Sequence, residues 1–440
     1  MRVLCLSVTH HTTPLSLREC LSLSPQQIEE VLERHPIRSA PFESIRELTV
    51  LSSCNRLELY AVINPMGYPD DRSGNAGQPV IEYLDKAFGL PAREMSPYLQ
   101  YFSDGQAVEH LFKVTAGLDS IAVGETQILG QVSRALENSL KAGGAHHVLS
   151  SLFRSAIHAG KRVHSETEVG RHPTSISHLA VQLARHRLGT LAGRRVLIVG
   201  AGKMGTYAIH ALQGEGVQAI ILVNRTFEHA AHLAEGTGVV VANYDSLADE
   251  LTLADVVFTS TAAPGPIIHQ AMVAEVMRAR QGKPLFLVDL AVPRNVEAEV
   301  KSIRGVTLVD MDDLQAFVST NQDGQPEINQ AQAIVDEEVS EYMKMLRIIP
   351  FIGELHRKIE LIRQRELEKT MRNLKQVDPQ IGEQLELFSR SLVQKIIHEP
   401  TMHLRTESDE ETLNDYVDTL ARLFDLSEGK EAIPEPMEGK

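Results

Sequence analysis

The chain has 440 residues, too many for one ordinary domain, and 43% of them are hydrophobic, a globular composition. No apolar run approaches the eighteen or so residues of a membrane span, and three scattered cysteines, Cys5, Cys20 and Cys54, argue against a disulfide framework or a zinc ribbon. The net charge is −15, yet Arg134 to Arg195 hold ten Lys and Arg against three acids, so a basic surface for a phosphate backbone is not excluded; a solvated helix face fits that run equally well.

The opening "MRVLCLSVTHHTT" predicts a short strand, because its apolar stretch is too brief and too broken for a secretion signal. With so few cysteines, the expectation is a reducing, cytosolic setting. "SPQQIEEVLERH" predicts a helix with Pro25 in its first turn, and "ELTVLSS" and "LELYAVIN" predict two strands around an SCNR turn. Residues 65–79 are rich in Gly, Pro and Asp and predict a loop. From about 80 to 165 the pattern is mostly helical, with a glycine-punctuated centre, "AGLDSIAVGETQILGQV". A new unit starts at "VGRHPTSISHLAVQLARHRLG", where Pro173, Thr174 and Ser175 suit a helix entry.

Beyond it the β-branched runs "VLIVG", "AIILVNR", "GVVVA", "DVVFTST" and "LFLVDLAV" alternate with helical stretches, which implies a parallel, doubly wound sheet. After about residue 320 the strands are expected to stop. Val335, Val339, Tyr342, Leu346 and Ile349 form the apolar seam of a helix that Pro350 should kink or interrupt, and the seam resumes at Leu355, Ile359 and Ile362. Such a seam needs another helix to cover it, from a second copy or from a hairpin. The tail, residues 431–440, is expected to be disordered.

Two motifs carry chemistry. In "VLIVGAGKMG", Gly200, Gly202 and Gly205 form GxGxxG between a strand and a helix, so Gly200, Ala201, Gly202, Lys203, Met204 and Gly205 are candidates to cradle a dinucleotide pyrophosphate. The second strand ends in Asn224, Arg225 and Thr226, where an NAD site usually has an acid; a guanidinium suits a 2′-phosphate, so the expected cofactor is NADPH. The other motif is "SSCNR". Cys54 lies at a strand–turn–strand beside polar neighbours and Arg56, whereas Cys5 lies within an apolar strand. Free cysteines are mostly buried hydrophobes. A thiolate paired with a hydride donor has a use, however: it converts an ester into a more electrophilic thioester and then leaves. His110 is a candidate acid–base, and the adjacent His10 and His11 point to opposite faces of a strand, so no metal is assigned.

These residues resemble the glutamyl-tRNA reductase family along nearly the whole chain. The resemblance rests on "THHTTPLSLRE", "LSSCNRLELY", "GLDSIAVGETQILGQV", "GKRVHSETEVG" and "IIHEPTMHLR", which occur in the family's order; Ser53 and Thr126 stand where the common pattern has threonine and proline. It implies a multidomain α/β chain. Residues 1–165 would be the catalytic, glutamyl-tRNA-binding domain, 166–318 a Rossmann NADPH domain, and 319–430 an all-α dimerisation domain with a long spinal helix. The implied assembly is a V-shaped homodimer. The implied chemistry is attack of Cys54 on glutamyl-tRNA and hydride reduction of the thioester to glutamate-1-semialdehyde, with handover of that aldehyde to an aminomutase. Ser53, Asn55, Arg56, Ser120, Glu125, Thr126, Gln127 and Gln131 would bind substrate, with Arg56 clamping its carboxylate, and His110 matches a histidine important for activity. Two other readings remain: an NADP-dependent dehydrogenase of a small hydroxy acid with a structural Cys54, since "NRT" also occurs in shikimate-type enzymes, and an inert tRNA-binding protein.

Overall fold

The computed structural model describes residues 2–37, 40–63, 77–90, 92–171, 175–321, 326–374, 379–406 and 409–426. The tail at 431–440, most of the 65–79 loop, and Pro173 and Thr174 lie outside the described residues. The chain divides into two compact units, residues 2–336 and 337–440.

The first unit contains two sheets. The N-terminal one is antiparallel, order β2-β3-β1-β4, from β1 (Arg2–Thr9), β2 (Ile45–Ser52), β3 (Arg56–Ile63) and β4 (Gln100–Ser103). Sequence pattern gave no hint of β4, because "QYFS" is short and sits on an edge, paired only with β1. Period-two alternation divides β3 cleanly. Leu57, Leu59, Ala61 and Ile63 join Leu4, Leu6 and Val8 in an apolar core, while Arg56, Glu58 and Tyr60 share the opposite face. Helices Gly105–Thr115 and His147–Glu166 pack near that second face, and Tyr60 meets Phe153 edge-on with ring centroids 5.3 Å apart. Glu47 on β2 caps the latter helix, its carboxylate accepting from the backbone N–H groups of His146, Val148 and Leu149 at 2.8–3.1 Å.

The second sheet is wholly parallel, order β10-β9-β8-β5-β6-β7. Its strands are β5 (Arg195–Val199), β6 (Ala219–Val223), β7 (Val240–Ala242), β8 (Val256–Thr259), β9 (Leu285–Asp289) and β10 (Val306–Val309). The expected doubly wound sheet is present with one strand more than the sequence suggested: β10, four residues of "VTLV", falls below the length at which pattern separates strand from helix. Chain order reverses between β5 and β8, and that switch point is where open α/β sheets hold ligands, at the carboxyl ends of their strands. Both faces are covered, giving an apolar cluster on each side.

The second unit is helical: most of Pro326–Asn373, then Pro379–Thr406 and Glu410–Phe424. Of the kink or interruption expected at Pro350, the interruption does not occur: the helix is long and bent and runs continuously across that position. A proline removes one backbone hydrogen bond, and here Ile348, Phe351, Ile352 and Leu355 bury their side chains with Leu404 and Leu413 on either side of that loss. No helix among the described residues is long and apolar enough to cross a membrane.

Candidate active site

Antiparallel pairing of β2 with β3 forces a tight reversal, and Cys54 and Asn55 are its tip. Ser53 N–H donates to Arg56 O at 2.9 Å, Asn55 N–H to the Ser53 hydroxyl at 3.3 Å, and His10 N–H to Asn55 O at 2.9 Å. Cys54 is half-buried on the wall of a pocket of about 290 Å³. Of the substrate-binding candidates, Ser53, Asn55, Arg56, Ser120, Glu125, Gln127 and Gln131 line this pocket and Thr126 does not; the acid–base candidate His110 does not line it either. The opposite wall comes from the parallel sheet: Ser260, Thr261 and Ala262 after β8, Leu290, Ala291 and Val292 after β9, and Met204. One buried carboxylate shapes that wall. Asp289 accepts from Thr259 Oγ1 and from the N–H groups of Ala291, Asn295 and Val296 at 2.7–3.1 Å, and Asn295 Oδ1 in turn takes Thr261 N–H at 2.7 Å.

Burial pushes the Cys54 thiol up to about 11, with the nearby Glu125 carboxylate adding to the rise and Arg18 and Arg56 opposing it. Burial also raises Glu125, to about 7. The pocket therefore pairs a protonated thiol with a carboxyl group that changes charge near neutrality.

Beneath Arg56 lies a charged layer that sequence reading passed over. Arg56 NH1 donates to Glu58 Oε1 at 2.9 Å and to Asp119 Oδ2 at 3.0 Å, and NH2 donates to Asp119 O. Glu58 also accepts from His110 Nε2 at 2.8 Å, Ser7 Oγ at 3.1 Å and Tyr60 OH at 2.7 Å. Burial alone would raise Glu58, but His110 and Arg56 outweigh it and hold the carboxyl near 2. Asp119 is likewise held well below the carboxylate range, against its burial, by His11 and Arg56. The His110 ring stacks on Phe102, centroids 4.3 Å apart, which fixes it in this layer behind Arg56. The signal for Glu58 was in the sequence: "RLELY" places Arg56, Glu58 and Tyr60 on one side of a strand. Asp119 comes from a turn 63 residues away, and only the fold brings it near. Cys5 Sγ, a Glu58 oxygen and a His110 nitrogen lie within 4.8 Å of one another, but the Arg56 guanidinium bonds to the same Glu58 oxygen and makes the cluster a charge-paired network.

The glycine loop fits a dinucleotide. Gly200 has φ +116°, and a Cβ there would come within 2.7 Å of Ser260 O; a Cβ on Gly205 would meet Gly200 O at 2.2 Å. Gly202 faces open space, and no side chain caps the helix Lys203–Leu212 that starts behind it, so its N-terminal N–H groups are left for an anion. Asn224 is a loop brace: its Oδ1 accepts from Ala201 N–H at 3.2 Å and its Nδ2 donates to Thr226 O at 2.8 Å. Arg225 is exposed at the end of β6.

Comparison with known proteins agrees with this geometry. Residues 6–167 match the family model described as glutamyl-tRNA(Glu) reductase, N-terminal domain, residues 182–317 that of shikimate/quinate 5-dehydrogenase, and residues 330–426 that of glutamyl-tRNA(Glu) reductase, dimerisation domain. The glutamyl-tRNA reductase of Natranaerobius thermophilus is 38% identical over 98% of this chain and 92% of its own. The chain belongs to the glutamyl-tRNA reductase family. The reductase of Syntrophotalea carbinolica is 36% identical over 97% of this chain and 95% of its own, and the solved glutamyl-tRNA reductase of Methanopyrus kandleri is 29% identical, covering 96% and 99% of the two chains with a TM-score of 0.40. The likeness of "NRT" to shikimate-type enzymes is explained by a shared dehydrogenase-type nucleotide domain, which supports a nicotinamide cofactor. In a glutamyl-tRNA reductase that domain stands between two others that a hydroxy-acid dehydrogenase reading leaves unexplained.

Proposed function

We propose that the protein reduces glutamyl-tRNA(Glu) to glutamate-1-semialdehyde with NADPH, the first step of the five-carbon route to tetrapyrroles, through a thioester on Cys54. The observation that carries this reading is that Cys54, at the tip of a hairpin in one sheet, faces the loops that follow β8 and β9 of the nucleotide domain across a single pocket. This reading assigns its working parts to residues 1–165, 166–318 and 319–430.

The thiol is protonated at neutral pH, so attack on the ester carbonyl needs a base, and Glu125 shares the pocket. As the Cys54 sulfur bonds to the acyl carbon, the bond from that carbon to the terminal ribose oxygen breaks. Glu125 takes the thiol proton and returns it to the departing hydroxyl, so that intact tRNA leaves. Arg56, anchored below by Glu58 and Asp119, presents its remaining N–H groups to the substrate carboxylate, and His110 keeps that anchor in place through Glu58. Ser53, Asn55, Ser120, Gln127 and Gln131 supply the other polar contacts. The 200–205 loop would hold NADPH with Arg225 at its 2′-phosphate, and the cofactor would supply the hydride for reducing the thioester, from which the Cys54 sulfur leaves as the aldehyde forms. The basic stretch from Arg134 to Arg195 suits the tRNA backbone. A homodimer is supported by the matched dimerisation domain and by apolar side chains left exposed in the second unit.

The deciding experiment withholds NADPH and looks by mass spectrometry for a glutamyl adduct on Cys54 after addition of charged tRNA. The adduct should form, and Cys54→Ser should lack both the adduct and reduction while still binding NADPH. Full reduction by Cys54→Ser, or turnover of a free hydroxy acid in place of glutamyl-tRNA, would replace this reading with that of an ordinary dehydrogenase.

A further inference from the structure

The motif "TTPLSLRE" contributes no residue to the pocket, yet it makes ion pairs and backbone hydrogen bonds between the two sheets' domains. Leu15 buries its side chain in the same apolar cluster as Ile176, Met311 and Leu314 of the nucleotide domain. Its N–H donates to Asp312 Oδ2 at 3.0 Å, and the other oxygen of Asp312 accepts from Arg18 NH2. The next residue, Glu19, forms a second and oppositely polarised pair. Arg294 donates to it through Nε at 2.8 Å, through NH2 at 2.7 Å and through its backbone N–H at 2.7 Å. Arg294 lies two residues beyond Val292, the last residue of the Leu290–Val292 wall of the pocket. On its other side Arg18 reaches the nucleophile turn, NH1 standing 3.3 Å from Asn55 Oδ1 and 3.5 Å from Cys54 O, while Nε bonds Thr13 O at 3.1 Å.

We infer that residues 14–21 act as a two-point clasp, in which Arg18–Asp312 and Glu19–Arg294 register the nucleotide domain against the Cys54 turn for hydride delivery. The inference rests on the function proposed above and adds positioning residues to it. Acyl transfer to Cys54 uses the N-terminal sheet and its pocket residues alone. Hydride delivery needs a donor carried by the other domain at reacting distance, and a misplacement of about 1 Å costs on the order of 10²-fold in rate. Two adjacent pairs of opposite polarity also reject a shifted register, since sliding one domain by a residue would set like charges together. Both pairs are partly solvated, with side-chain exposures of 3% and 44% for Arg18 and Asp312 and of 26% and 16% for Arg294 and Glu19, so salt weakens the clasp.

The test uses full-length protein carrying Glu19→Arg, Arg294→Glu, and both together. Single-turnover reduction of glutamyl-tRNA by NADPH should fall about tenfold or more in each single variant. Thioester formation on Cys54 with NADPH withheld should stay within about twofold of the unaltered enzyme, and the exchanged pair should recover most of the reduction rate. Hydrogen exchange of the enzyme without nucleotide supplies an independent readout: residues 14–21 and 290–296 should lose protection in the single variants and regain it in the exchanged pair. Unchanged reduction, parallel loss of both half-reactions, or no recovery on exchange would overturn the clasp. Absence of any Cys54 adduct in the unaltered enzyme would instead overturn the thioester reading, while the exchange data would still report on the clasp.

Discussion

Arg56 and Glu58 are alternate residues of β3, fully buried, and joined on one face of the strand by a 2.9 Å bond from NH1 to Oε1. A buried ion pair is tolerable only when each remaining donor and acceptor finds a partner. Here Asp119 takes two more of the Arg56 N–H groups, leaving the rest for the pocket, and His110, Ser7 and Tyr60 complete Glu58. The layer is therefore the platform on which the Cys54 turn and the proposed substrate clamp, Arg56, both rest.

Glu58→Gln leaves Arg56 and His110 without the charge that balances them, so it should destabilise the protein by about 3 kcal/mol at neutral pH. Glu58 has its folded pKa pulled from the ordinary 4.5 to about 2, so its contribution is complete above roughly 4.5 and is lost as pH falls through 2. Urea unfolding of both proteins across this range should show their difference narrowing toward the acid end.

Glu125 carries a different pH signature. With its pKa raised to about 7, it is ready to accept a proton only on the alkaline side of neutrality. The rate of adduct formation on Cys54 should rise with pH around a midpoint near 7 and then level off. Glu125→Gln should remove that rise and slow acylation by roughly 10²-fold, with NADPH affinity unchanged in a fluorescence titration.

Gly205→Ala puts a methyl group 2.2 Å from Gly200 O, a contact no rotamer relieves. The loop must open, which should cost about 1–3 kcal/mol of stability and weaken NADPH binding by tenfold or more. Gly202→Ala, which meets nothing within 4 Å, should fold with unchanged stability and lose affinity only, so calorimetry on both variants separates packing from ligand contact. Arg225→Asp should lower the preference for NADPH over NADH without changing the melting temperature.

On the helix Pro379–Thr406, Ile381, Phe388, Leu392 and Ile396 recur on one stripe, and 48–65% of each is exposed. A second copy is the occupant that the matched dimerisation domain supports. Phe388→Glu with Ile396→Glu should shift the protein from dimer to monomer in sedimentation velocity at micromolar concentration.

Much of this was legible in the residues. Strands β5, β6, β8 and β9 announced themselves because buried parallel strands need unbroken apolar, β-branched runs, the edge strand β7 through its own valine run, and GxGxxG because only glycine meets the φ at 200 and the contact at 205. Strands β4 and β10, four residues each, did not, since their pairing comes from neighbours and not from their own pattern. At Pro350 a local rule allowed either a kink or a break, and packing on both sides of it carried the helix through without a break.

The sequence by itself determined the chemistry available: a thiol in a polar turn, a phosphate-cradling loop, and a guanidinium where an acid would select the other cofactor. Those signals are local, written in adjacent residues, and need no partner to be read. Tertiary structure decided which groups surround the thiol. Asp119 under Arg56, Glu125 beside Cys54, and Asp312 and Arg294 locked onto Arg18 and Glu19 are contacts between residues 63 to 294 positions apart. No periodicity records such distances, because burial and charge pairing act in space, after the chain has folded back on itself.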